Sequence, residues 1–319
     1  MSSRPRAPRQ RGFSMIELMV ALVIGMVLIG GAVYVYAQSR SSYGVNESVA
    51  RLQESGRYAM SVIEPDIRMS SFYGLMNDPE LIVGRAAQDE GASALGTNNA
   101  HECGDNFALD LYTTVEGSDN EYTLECAAGP SGNEQPEADT LTIRRASANA
   151  TAESDETIQI WSSRTLGRLF SDGAAPGAVV AGSSQINDLI VNTYYVSADS
   201  DDRAGMPSLR RQSLVPTGAG PDFQDQEIIP GVEDFQVQLG VDPSGVAGDA
   251  VRYVDPDTVL PLGTQVVSVR VWLLIRAEAP EVGFVDGRTY TYGNRIYTPN
   301  DGFRRLLLTR TIQVRNSLG

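Results

Sequence analysis

Residues 9–20 read RQRGFSMIELMV and set one carboxylate, Glu17, at the start of a long apolar run. An ionised carboxylate in a bilayer costs ~2.5–3.5 kcal/mol even on lenient insertion scales, and less near the interface, so a charge here points to function rather than to anchoring. Gly12 has no side chain to keep an endopeptidase from the backbone. A cut after Gly12 would free a cationic amine at Phe13. When two such helices pack side by side, Glu17 of one can then pair with the amine of its neighbour, and the charges neutralise each other only in the assembly.

Other reactive groups are sparse. His101 is the only histidine, so zinc ligand sets and a Ser-His-Asp device would both depend on it, and beside Glu102 it reads as an exposed loop residue. Asp199-Ser-Asp-Asp202 and Asp255-Pro-Asp257 gather carboxylates, but calcium wants about six to eight oxygens, neither run has EF-hand spacing, and turns favour aspartate anyway. The glycine pairs 218/220 and 245/248 do not lead into Gly-Lys-Ser/Thr. No metal or cofactor site and no enzymatic activity are expected. Tyr194, Tyr195, Tyr290, Tyr292 and Tyr297 read as strand-face packing rather than an adhesive patch.

The chain has 319 residues and a net charge of −15, with 42% hydrophobic and 20% charged residues, a globular composition. All 25 basic residues are arginine, and four of them stand in the first twelve positions, leaving the body more acidic still. Such a surface repels phosphate backbones, and no nucleic-acid partner is expected.

These groups must be positioned by a long N-terminal element. Residues 18–35 hold no charge and, at ~1.5 Å per residue, cover most of a ~30 Å hydrocarbon core. Arginines before the run and few basic groups after it leave the N-terminus in the cytoplasm and the body across the membrane. Two processing routes compete, because a secretory cut after Ala37 is also possible, although secretory apolar regions are usually shorter. On the far side of the membrane Cys103 and Cys126 form a disulfide more readily than a metal pair.

Past Ala37 the pattern turns amphipathic, with Val45, Val49, Leu52, Gly56, Ala59, Ile63 and Ile67 at steps of four and three. Pro65 predicts a kink or an end. In the body, strands are expected at 107–113, 141–144, 157–161, 189–196, 233–241, 266–276 and 305–314, with 266–276 showing one buried and one wet face. Residues 76–140 are rich in Gly, Asn, Asp and Glu and read as a loop-rich insertion. The fold class is α+β: a long helix on an antiparallel sheet head.

The stretch Gly12-Phe13-Ser14-Met15-Ile16-Glu17 resembles the class III signal of type IV pilins and pseudopilins. That resemblance implies a prepilin peptidase that cuts between Gly12 and Phe13 and methylates Phe13, with Glu17 in the place of the family's assembly glutamate. Residues 51–59 (RLQESGRYA), 66–69 (DIRM), 72–74 (FYG), 231–240 (GVEDFQVQLG), 266–274 (VVSVRVWLL), 303–305 and 315–316 resemble the PilW group of minor pilins. The implied organisation is a cytoplasmic leader over 1–12, a transmembrane and filament-core helix over 13–37, an amphipathic helix over 38–70, and a periplasmic head over 71–319. Implied partners are other minor pilins, the major pilin and a tip adhesin, with location first in the inner membrane and then in the pilus. A minor pseudopilin of type II secretion and a ligand-binding tip module are the alternatives.

Overall fold

A computed structural model describes residues 12–88, 103–218, 220–244, 250–260 and 264–316. The arginine-rich leader, His101, Glu102 and the 245/248 glycine pair lie outside them. The chain divides into two units, Met1–Ala50 and Arg51–Gly319.

One helix, α1 (Met15–Met69), begins in the first unit and ends in the second. It contains a window of mean hydropathy 2.6, long and apolar enough to cross a membrane, and none of that window is buried. In the second unit Leu52, Gly56, Ala59, Met60, Ile63 and Ile67 turn one stripe inward and are buried. Each large apolar side chain removed from water in this way contributes roughly 1.5–3 kcal/mol. Gly56 is required by contact, since a Cβ there would lie 2.0 Å from Leu308 Cδ1 and 2.7 Å from Ile275 Cδ1.

That stripe packs against a four-stranded sheet in the order β10-β9-β11-β14, made of β9 (Val232–Asp242), β10 (Arg252–Val254), β11 (Gln265–Arg276) and β14 (Arg305–Gln313). All its pairings are antiparallel. Val269, Val271, Leu273 and Ile275 of β11 join the helix stripe in one core with Phe235, Val237 and Leu239 of β9. The opposite face is not wet. A hairpin, β12 (Tyr290–Tyr292) and β13 (Arg295–Tyr297), contributes Tyr290 and Tyr292 to a second cluster with Trp272 and Leu274. The expectation of one solvated face fails because this hairpin, whose strands are only three residues each, covers it.

The larger sheet follows the order β1-β5-β4-β6-β3-β2, with β7 on β6 and β8 on β7. Its strands are β1 (Ile82–Val83), β2 (Val115–Glu116), β3 (Leu141–Ala146), β4 (Gln159–Ser163), β5 (Gly167–Phe170), β6 (Ser184–Ser197), β7 (Ser208–Thr217) and β8 (Gly220–Pro230). Among the described strands only β1 and β5 pair in parallel. The 14-residue β6 is shared: one edge pairs with β4 and then with β7, the other with β3. Strands β7 and β8 escape the sequence pattern because Pro216 and Pro221 punctuate them. These two prolines pair directly, next to the hairpin tip, where strands tolerate a missing N–H.

Residues 107–113 form no strand. The run is a set of turns around Asn106, whose φ is 53°, with Leu109 N–H and Asp110 N–H both donating to the Asn106 carbonyl. Its apolar side chains suggested a strand, yet they are buried at consecutive positions around Arg144. That fully buried guanidinium donates to the carbonyls of Phe107 at 2.8 Å and Thr113 at 2.7 Å and to Glu116 at 2.6 Å. Helix α1 also continues past Pro65 to Met69. The proline lies on an exposed face near the end, where one lost backbone bond is tolerated.

Candidate processing and assembly site

Gly12 and Phe13 precede the first helical residue and are exposed. A Cβ at Gly12 would meet nothing within 4 Å, so packing within the described residues does not demand glycine there. Glu17 stands in the first turn, and its carboxylate accepts the Ser14 backbone N–H at 2.9 Å. This is one arm of a capping box, which satisfies an amide that the helix itself leaves orphaned. The Ser14-x-x-Glu17 spacing carried that signal. Glu17 therefore has a role within its own helix.

At the other end of α1, Asp66 is buried at 5% exposure and reaches the larger sheet. Its carboxylate lies 2.6 Å from the Arg145 guanidinium on β3 and accepts from Asn192 Nδ2 and the Tyr194 hydroxyl on β6, both at 2.6 Å. Burial, followed by the Asp66 charge, holds the Tyr194 hydroxyl far above its usual range and keeps it a donor. Three partners on two strands pin the last helical turn to the head. Helical periodicity picks out apolar positions and offered no sign of this clamp.

The remaining candidates have structural work. Cys103 and Cys126 are joined by a disulfide. Asp199 accepts the Gly205 N–H at 2.6 Å and the Asn133 amide at 3.2 Å, while Asp201 pairs with Arg210 at 2.9 Å. Asp255 accepts from Gln238. Among the described residues no group of three or more His, Cys, Asp or Glu is placed to hold a metal. The tyrosines all donate to carboxylates: Tyr195 to Asp225, Tyr290 to Asp286, Tyr292 to Asp234 and Tyr297 to Glu233, besides Tyr194 to Asp66.

Residues 7–33 match the prokaryotic N-terminal methylation motif, and residues 193–316 match the family model of Type IV Pilus-assembly protein W. Both matches are to type IV pilin-like proteins. The chain is also similar to a solved structure, the type IV-like pilin TTHA1219 from Thermus thermophilus, at 12% identity and a TM-score of 0.39, covering 84% of this chain and 98% of that one. No curated protein sequence matches it. The PilW segment runs from the middle of β6 through β14, and the methylation motif covers the start of α1. Pilin-like proteins are structural rather than enzymatic, and the class implies pilus partners and prepilin processing. The apolar start of α1 marks this chain for membrane anchoring.

Proposed function

We propose that this chain is a minor pilin that a prepilin peptidase cuts between Gly12 and Phe13 and methylates at Phe13, and that then joins other minor pilins at or near the pilus tip to prime assembly. The observation that carries the reading is the presence in one chain of a methylation motif over 7–33 and a PilW segment over 193–316. Before assembly the apolar helix holds the subunit in the inner membrane, its head in the periplasm. After the cut, the new amine at Phe13 lies near Glu17 in sequence, and the carboxylate that now accepts from Ser14 becomes the partner of a neighbouring subunit's amine. The large head with its long insertion suits a low-copy position better than every position of a tightly wound filament. Glu17 gives the subunit a neighbour to meet and places it below the most distal position.

The deciding experiment is mass spectrometry of the mature N-terminus together with deletion in the native host. Methylated Phe13 and loss of pili and twitching are expected. A mature N-terminus at Gln38 would overturn the reading in favour of ordinary secretion. Lost exoprotein secretion with intact pili would instead make the chain a pseudopilin.

A further inference from the structure

Strand β14 ends the smaller sheet, and its outer edge is open. Val314 N–H bonds to Val267 and Ala277 N–H to Arg304, so the register with β11 turns the backbone groups of even-numbered β14 residues inward. The N–H and C=O groups of Leu307, Thr309, Thr311 and Gln313 therefore point away from the sheet. Among the described residues no partner meets them. The edge closes only at its two ends, where the Arg288 guanidinium donates to the Arg305 carbonyl and, past the strand, Arg315 N–H donates to the Arg68 carbonyl at the end of α1.

Beside this edge lies a groove of about 350 Å³ lined by Ser61, Glu64, Pro65, Arg68, Met69 and Arg315. Pro65 has no N–H to give to the Ser61 carbonyl, which leaves a helix acceptor at the groove. Glu64 pairs with both Arg68 and Arg310, and Arg315 meets no carboxylate among the described residues. Two guanidiniums thus share one carboxylate and a third lies beside them without one, in a chain whose net charge is −15.

We propose that β14 and this groove form a docking site for an extended, carboxylate-bearing segment of a neighbouring pilus subunit, which adds a strand to the sheet. Backbone bonds to the outward groups give register, and every second side chain of the added strand falls on the α1 side, where its carboxylates meet Arg310, Arg68 and Arg315. Charge complementarity selects an acidic segment over the basic or apolar ones that a bare sheet edge would also accept. The inference rests on the pilin reading and names the surface through which the subunit finds a partner.

The test is a benzoylphenylalanine photocrosslinker at Gln313 of the full chain in its native host, with the adduct peptide sequenced by mass spectrometry. An adduct to an acidic segment of another pilus subunit is expected. Its yield should fall roughly fivefold in Thr309→Pro, which removes one outward N–H and no ladder bond, and similarly in Arg315→Glu. Unchanged thermal melting of both variants shows that the head still folds. Adducts only to this chain's own residues or to lipid, or yields unmoved by either substitution, would overturn the docking site. The mature N-terminus is read in the same samples: methylated Phe13 without the adduct sinks only this inference, while absence of Phe13 sinks the pilin reading beneath it.

Discussion

The Asp66 carboxylate lies 2.6 Å from the Arg145 guanidinium, 79 residues further along the chain, and both groups are largely withdrawn from water. A pair at this depth is worth most as a constraint, because each charge would be costly alone. It ties the last turn of α1 to β3, while Asn192 and Tyr194 tie the same carboxylate to β6. The helix is thereby held at both the apolar stripe and one polar point.

Asp66→Ala should lower stability by about 3–5 kcal/mol, since it strands the Arg145 charge and two further donors. Tyr194→Phe should cost only about 1 kcal/mol, the scale of one hydrogen bond. Denaturant unfolding of the detergent-solubilised chain separates the two, and equal losses would show that the ion pair contributes little.

Gly56→Leu should destabilise the head by about 1–3 kcal/mol through overpacking against Leu308 and Ile275. Gly25→Leu, where a Cβ meets nothing within 4 Å, should leave the same unfolding midpoint unchanged. A shift of equal size at both positions would mean that helix propensity, not contact with β11 and β14, explains Gly56.

Burial pushes Asp139 up to about 8, against the pull of N–H donors from Asn120 at 2.9 Å and Val237 at 2.7 Å. The folded state then binds more protons than the unfolded state between the ordinary aspartate range and that value. Its contribution to stability is full at low pH and lost as pH rises through the window. Unfolding midpoints measured from pH 5 to pH 9 should therefore decline, by up to a few kcal/mol from this group, and Asp139→Asn should flatten the decline. A variant as steep as the parent chain would clear Asp139.

Glu17 has two roles to separate, the observed cap on Ser14 and the proposed pairing with a neighbour's amine. Glu17→Gln keeps an acceptor for Ser14 and removes the charge, whereas Glu17→Ala removes both. Membrane insertion and cleavage should survive in each, and recovery in sheared pili should fall to the same extent in both. If Gln supports pilus incorporation as well as Glu does, capping alone explains the residue.

Much of this protein was legible without tertiary structure because its signals are local. The methylation motif over 7–33 is one contiguous stretch, the apolar run declares its own length, and the stripe from Leu52 to Ile67 repeats at helical spacing. The α+β class and most long strands followed from apolar runs that neighbours merely complete. What the tertiary structure decided lies where distant segments meet. Only folding brings Asp66 to Arg145, turns 107–113 around Arg144 rather than into a strand, and lays the β12–β13 hairpin over a face that looked solvated. The free edge of β14 belongs to the same class, since an edge is defined by which strand fails to arrive, and no residue within the strand records that.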